Sequence, residues 1–407
     1  HDPDGHRGMT ELLIRAGRVF TARDTDPVLD DAWVRVQDGR IVEVSASEPR
    51  ASTADAHRVE AAHATLLPGL VDCHVHLDIS GGPDWLSEVR QSYAMTCWHA
   101  AAHARATLHA GFTTIRTLGG RDGVDPALRD AQVAGLLEAP RIIAANLVVC
   151  MTGGHGAWLG READGPEDVR KAVREQLRAG ADCIKLIATG GVMTPGVSPG
   201  SQQLTDEELR VGVEEAHKAG RKAAAHAHGA EGARGAVLAG IDSIEHGSLL
   251  TDEVIELMRS RGTFYSATLA ALDGFLKAPP GAVADWAIEK ARAVEPSLAD
   301  TFRRAYRAGV RLVLGTDAGT PFNYHGRNAR ELELMVGLAL DPLEALRAAT
   351  RNGAELLGVL DQVGTIEPGK MADLVLCDGD AITSVARLCD QANITMVVQA
   401  GRIVARS

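Results

Sequence analysis

The sequence predicts an α/β chain, a (β/α)8 TIM barrel with a small composite β-sandwich domain built from both termini. Three observations predict it. Across the middle of the 407 residues, short apolar runs alternate with amphipathic, helix-like stretches. Eight such units over roughly 290 residues is the count and size of a barrel. The two outer parts of the chain read instead as short strands separated by turns. Residues suited to metal binding or acid–base work recur at the downstream ends of the barrel strands, where this architecture carries its active sites.

Residues 10–66 are expected to form the N-terminal part of the sandwich. Here "LLIRAGRVF", "AWVRVQDGRIVEV" and "ATLLPG" are strand-like, and "DGRIVEV" is a turn followed by a strand. The octet "HDPDGHRG" ahead of Met9 reads as a leftover tag outside the fold, and no basic-then-apolar signal follows Met9. Residues 67–362 are the expected barrel, with strands at 69–76, 113–118, 141–149, 183–188, 222–228, 243–246, 263–267 and 311–317. Helices such as "PEDVRKAVREQLRAG" and "TDEELRVGVEEAHKAG" are expected to follow Asp or Thr caps and to stop at Gly. Residues 363–407, with "GTIEPGKMADLVLCDGD" and "ITMVVQAGRIVARS", return to strands and turns and complete the sandwich.

Hydrophobic residues make up 45%, the ordinary level for a globular chain. A net charge of -12 argues against nucleic acid or an anionic membrane as a partner. No apolar run reaches the roughly 18 residues that span a bilayer. The six cysteines lack CxxC spacing and four sit in apolar runs, as the reduced thiols of a cytoplasmic protein do. A cytoplasmic location is expected. The oligomeric state is open, a homo-oligomer included.

The run "DCIKLIATGG" places Lys185 inside an otherwise apolar strand. A buried ammonium must be paired, lose its proton or be chemically altered. The other strand ends suggest which. Alternation puts His74 and His76 on one face at the end of the first barrel strand, and His226 and His228 on one face of the fifth. Glu245 and His246 end the sixth strand, and Thr316 and Asp317 the eighth. A lone strand histidine is more often a core residue than a ligand, but five strands offering ligands at one end of a barrel are not. Four imidazoles and a carboxylate can neutralise one divalent ion; two ions need a bridging anion. A neutral lysine amine reacts with carbon dioxide to give a carbamate, a bidentate anion on a long stem. Lys185 in that carboxylated form would bridge two ions. The donors suit zinc, and manganese, cobalt or iron also fit them.

At these residues the chain resembles the amidohydrolase superfamily, in its branch with two metals and a carboxylated lysine. "PGLVDCHVHLD" resembles the opening HxH strand. "KLIATGGVM", "AAHAHG", "DSIEHG" and "GTDAGTPFNYHGRNARELELM" resemble blocks of a prolidase-like group that includes Xaa-Pro dipeptidases, imidazolonepropionase and ochratoxin-hydrolysing amidases. The resemblance covers essentially residues 12–407. It implies that His74, His76 and Asp317 hold the more buried metal, that His226 and His246 hold the more exposed one, and that Lys185 bridges both. Imidazolonepropionases and related deaminases typically use one metal and lack this lysine, so Lys185 argues against them. One departure is "IRTLGG", where the family often has Asp after the Arg; Thr117 leaves the partners of Arg116 to be found.

The resemblance implies hydrolysis of an amide bond by a metal-bridging hydroxide. Asp317 would take and return the proton, and His228 would donate to the developing oxyanion. The expected substrates are dipeptides, notably with a C-terminal proline, or N-acyl amino acids. The alternatives are a small-molecule amidase or carbamate hydrolase of the ochratoxinase kind, and a mononuclear cyclic-amide hydrolase or deaminase. An inactive scaffold would need none of the ligand set. His155 in "TGGHGAW" and His325 and Arg327 in "YHGRN" are the expected substrate contacts, placed to hold a carboxylate on the leaving group. The Gly- and Pro-rich "GGVMTPGVSPGSQQ" is expected to cover the site. Arg116, Arg121 and Arg161 read as structural or surface residues before substrate anchors.

Overall fold

A computed structural model describes residues 11–50 and 56–406; the octet ahead of Met9 lies outside the described residues. The N-terminal part supplies β1 (Glu11–Phe20), β2 (Val28–Gln37), β3 (Arg40–Ser45) and β4 (His57–Pro68). The middle supplies β5 (Leu70–Val75), β6 (Phe112–Thr117), β7 (Arg141–Ala144), β8 (Val148–Cys150) and β9 (Gly160–Glu162). It continues with β10 (Cys183–Ile187), β11 (Lys222–Gly229), β12 (Ser243–Leu249) and β13 (Phe264–Ser266). The chain closes with β14 (Leu374–Asp378), β15 (Ile394–Gln399) and β16 (Arg402–Arg406).

Both ends of the chain meet in one seven-stranded sheet, ordered β16-β15-β14-β4-β1-β2-β3. β4 and β14 run antiparallel with Leu66 opposite Leu376. Alternate side chains of β1 (Leu12, Ile14, Ala16) pack with Leu374, Leu376 and Val398 into an aliphatic core. At the far edge, Ile41 exchanges backbone bonds with Gly369 and Lys370 (2.8 and 2.9 Å), just ahead of β14. The sheet therefore curls back over its own core. The expected sandwich is one continuous hydrogen-bonded sheet rather than two separately bonded layers.

The middle strands are parallel. β5, β6 and β7 form one sheet, and β13-β12-β11-β10-β8-β9 form another. The strand expected at 141–149 is broken into β7 and β8, with Asn146 between them in the left-handed region (φ 63). The stretch 311–317 is no regular strand. Its backbone nonetheless bonds to both sheets: Tyr265 N–H to Arg311 and Cys73 N–H to Leu314 (2.9 Å each), and Asp317 N–H to His74 (2.7 Å). Gly315 permits that approach, because a Cβ there would come 2.3 Å from the Ser266 hydroxyl and 2.9 Å from His74 Cβ.

Amphipathic helices cover the outer faces of these strands. Helix Asp206–Lys218 begins as expected with a capping box between Thr205 and Glu208. Helix Pro166–Arg178 does not follow an Asp or Thr cap; Gly165 precedes it and Pro166 opens its first turn. Helices Ala230–Ala239, Asp252–Arg261 and Asp285–Ala308 stop at Gly240, Gly262 and Gly309, whose φ of 92, 71 and 81 suits glycine. Among the described residues no helix is long and apolar enough to cross a membrane. All six cysteines are free, four of them buried.

Candidate active site and metal centre

Period two along β5 turns His74 and His76 to one side, with ring centroids 5.4 Å apart. Both Nε2 atoms face one oxygen, Asp317 Oδ1, at 3.3 and 3.1 Å. Asp317 presents that oxygen from a left-handed backbone (φ 58), and His246 in β12 does likewise (φ 71). Such conformations cost a non-glycine residue on the order of 1–3 kcal/mol and persist where the surroundings impose them. Here the Asp317 N–H donates to the His74 carbonyl at 2.7 Å, and the Tyr265 hydroxyl donates to the His246 carbonyl at 2.9 Å. Behind the histidines, Asp72 accepts from the His74 N–H, the Thr316 hydroxyl and the Asn328 amide at 3.1, 2.6 and 2.7 Å. It ties β5 to the 311–318 stretch.

Lys185 reaches the same space from β10. It is 2% exposed, and its Nζ has no hydrogen-bond partner among the described residues. Burial lowers its pKa to about 8, against the pull of Glu245 and Asp317. A neutral amine is therefore accessible near neutral pH. Glu245 itself accepts from Arg116 at 2.8 Å and from Ser243 at 2.5 Å, and meets His74 Nδ1 at 3.0 Å. Burial would raise its pKa, but the Arg116 charge and the His74 contact hold it well below the usual carboxylate range. Arg116 also donates to the Cys73 carbonyl at 2.7 Å. Its partners are thus Glu245, Ser243 and that carbonyl.

Every imidazole of the cluster has one nitrogen held from behind. His76 Nδ1 donates to the Gly119 carbonyl (2.8 Å), and His226 Nε2 to that of Gly190 (3.0 Å). His228 Nδ1 meets the Ser248 hydroxyl (2.8 Å), and His246 Nδ1 that of Thr268 (2.7 Å). The other nitrogen is left for the site, the way metal-ligating rings are oriented. Burial pushes His74 and His228 down to about 4, and burial with neighbouring rings takes His226 and His246 well below the ordinary value. Neutral imidazole is the form that binds a metal. His76 is the exception: burial lowers it, but the Asp317 hydrogen bond and charge prevail and raise it.

Donor atoms of His226, His228 and His246 lie within 4.8 Å of one another, as do those of His74, His246 and Asp317. The residues fit a metal site. His228 thus lies beside His226 and His246 and faces the same space.

These groups floor a pocket whose remaining wall is largely apolar, with Trp158, Met193, Leu272, Phe275 and Leu298. His155 lines it as expected. Its ring lies 4.2 Å from that of His226 and flat against Gly191, where a Cβ would come within 2.6 Å of the ring. Its Nδ1 meets the Thr194 hydroxyl at 2.7 Å. His325 and Arg327 do not line the cavity. His325 donates from Nε2 to the Ile79 carbonyl at 2.9 Å and stacks on His103 at 4.6 Å. Arg327 is exposed over the Tyr324 ring. Arg121 is taken up by Asp78, Thr96 and backbone carbonyls, and Arg161 by Asp168 and Glu175. Among the described residues, no guanidinium lines the cavity.

Residues 65–404 match the amidohydrolase family. The chain belongs to that family. It is an enzyme, a hydrolase of the amidohydrolase type. This amidohydrolase is similar to ochratoxinase from Aspergillus niger, 31% identical over 391 residues that cover 86% of this chain and 77% of the relative. It is also similar to imidazolonepropionase from Micrococcus luteus, 30% identical over 92% of this chain and 94% of that protein. Its fold is similar to the crystal structure of a Xaa-Pro dipeptidase with methionine bound in the active site. The TM-score is 0.90 and the identity 33%, covering 98% of this chain and all of the other.

Proposed function

We propose that this amidohydrolase cleaves the amide bond of a small peptide-like substrate, using two divalent ions held in the cluster. The observation that carries this reading is Lys185, a buried amine without a hydrogen-bond partner among the described residues, beside histidines and the Asp317 carboxylate. His74, His76 and Asp317 would hold one ion and His226 and His246 the other. Lys185, carboxylated by carbon dioxide, would bridge them. Zinc, manganese, cobalt or iron suits such donors. Bound ions supply Lewis-acid polarisation of the carbonyl and a more acidic water.

The chain's own groups move the protons. Asp317 Oδ1 takes the proton of the attacking water and returns it to the leaving nitrogen. Burial raises its pKa, but the charges of His74 and His76 and the His76 hydrogen bond prevail and lower it, so the carboxylate is ready to accept. With the Ser248 hydroxyl donating to Nδ1, His228 carries its proton on Nε2 and donates it to the oxygen that gains charge. The apolar wall excludes water and receives the apolar part of the substrate.

A dipeptide with a C-terminal proline, or an N-acyl amino acid, is the first substrate reading, supported by the likeness to the Xaa-Pro dipeptidase. The apolar wall without a guanidinium favours a second, a bulky small-molecule amide of the ochratoxinase kind. The likeness to imidazolonepropionase supports a one-metal reading, and Lys185 counts against it. We also read the two parallel sheets and the 311–318 stretch as a closed (β/α)8 barrel over residues 67–362. The curled sheet then forms a separate β-sandwich domain from residues 10–66 and 363–407. The backbone bonds from 311–317 to both β5 and β13 support closure.

Lys185→Ala tests the centre. Metal content should fall below two ions per chain and amide turnover should vanish, with partial return on adding short carboxylic acids. Full activity with two ions bound would overturn the reading. Dipeptides compared with their C-terminal amides on metal-loaded enzyme separate the two substrate readings, faster amides favouring the second.

A further inference from the structure

We infer that Lys290 is a positioning residue whose ammonium latches the 190–203 loop over the cavity and so sets the wall that meets the substrate. The substrate-facing half of this inference rests on the hydrolytic reading above. Lys290 lies near the start of helix Asp285–Ala308, and its Nζ donates to the carbonyls of Thr194 and Val197, each at 2.5 Å. Those carbonyls flank Pro195 and Gly196, with Gly196 at φ 75, so the ammonium sits in the crook of a tight turn. The Trp286 ring lies 5.3 Å from it. Among the described residues no carboxylate forms an ion pair with it.

The loop is rooted at both ends. Gly190 N–H bonds to Ser201, and Gln203 N–H to Ala188 (2.9 and 2.8 Å). Between the roots, residues 192–200 take hydrogen bonds from outside the loop at His155 and Lys290, among the described residues. The latched turn faces the site through three side chains: Thr194 fixes the His155 ring, and Val192 and Met193 line the cavity. The helix that carries Lys290 also supplies Leu298 to the same cavity. One ammonium thus joins the two sides of the apolar wall.

Lys290→Met and Lys290→Arg test this on the metal-loaded enzyme. In the Met variant, amide hydrogen exchange over 192–200 should accelerate. KM for substrates with a bulky apolar side chain should rise roughly 10- to 100-fold, the loss of a charge-assisted anchor. Turnover number and KM for a glycine-based amide should change less than about threefold, the split that separates lost binding from lost chemistry. The Arg variant should restore both readouts, since its planar fork reaches two carbonyls. Lys290→Gln replaces the Met variant if that one does not fold. Unchanged exchange over 192–200 in a folded variant overturns the latch. Faster exchange with no KM shift for apolar substrates overturns its role toward substrate. If the wild type cleaves no amide, the hydrolytic reading fails, while the exchange measurement still decides the latch.

Discussion

The terminal sheet and the mouth of the parallel strands are made of the same kind of element and filled by opposite rules. In the sheet, the hydrophobic cluster of the interior is aliphatic or methionine, the buried Glu11 carboxylate is paired with Arg35 at 2.6 Å, and ion pairs such as Arg15–Asp31 and Arg58–Glu48 lie on the outside. At the mouth, Asp72, His74, Arg116, Lys185, Glu245 and His246 are all buried. Burying such groups is unfavourable unless each finds a partner. Arg116 and Glu245 find each other; the Lys185 amine finds no partner among the described residues. An interior set by packing alone has no use for so many ionisable groups in one place, so their convergence at one end of the strands marks chemistry.

The contrast makes opposite demands on mutations in the two regions. The largest effect belongs to the mouth. Asp317→Asn keeps the shape and a residue type tolerant of the left-handed backbone, so its thermal midpoint should stay near the parent's. Its turnover should drop by roughly 10²–10⁴, the worth of a positioned acid–base group. A variant within about tenfold of the parent, about 1.4 kcal/mol of barrier, would refute the proton transfer. The sheet should answer in reverse. Leu66 is fully buried in its aliphatic core, and Leu66→Ala should remove about 2–5 kcal/mol of stability by denaturant titration. Metal content and KM should not move; a matching fall in turnover would erase the distinction between the regions.

A third test is a pH slope. Glu331 is buried and accepts the N–H groups of Leu269 and Ala270 at 2.9 and 2.7 Å, yet burial pushes its pKa up to about 8. The unfolded chain gives up that proton near pH 4.5, the folded chain only near 8. Between those values the folded state binds more protons, so this group's contribution to stability falls as pH rises. The thermal midpoint of the wild type relative to Glu331→Gln should therefore decline from about pH 5 to about pH 8. Parallel curves would show that Glu331 ionises normally.

The strand ends were legible because their signals are local. Alternation pairs His74 with His76 and His226 with His228, and a lysine in an apolar run announces itself. The places where the strands depart from regularity were not legible. The left-handed backbone at Asn146 breaks one expected strand, and nothing in its neighbours foretells that angle. Asp72 was visible as a carboxylate inside "GLVDCHVH", but its partners Thr316 and Asn328 lie 244 and 256 positions later in the chain. Thr268 and the Gly190 carbonyl, which hold His246 and His226, belong to distant loops, and a backbone carbonyl leaves no trace in residue type. His325 and Arg327 lie away from the cavity for a related reason. Phe322 adopts a left-handed backbone (φ 64) just after Asp317, and His325 sits against His103 rather than over the cavity.

Thr65 gives its hydroxyl to the carbonyl of Gly379, 314 positions later, and Arg18 reaches Asp380 across 362. A ribosome adds about 5–20 residues per second. The earliest apolar strands therefore spend on the order of 15–60 s without their eventual neighbours. For that interval β1 and β4 offer one another company but leave the β14 side of β4 open, the kind of unpaired edge that invites association between nascent chains. β14, translated long after β4, acts as the closing stitch. A stop codon just ahead of β14 would release a polypeptide whose parallel strands are complete but whose β4 edge can never be covered.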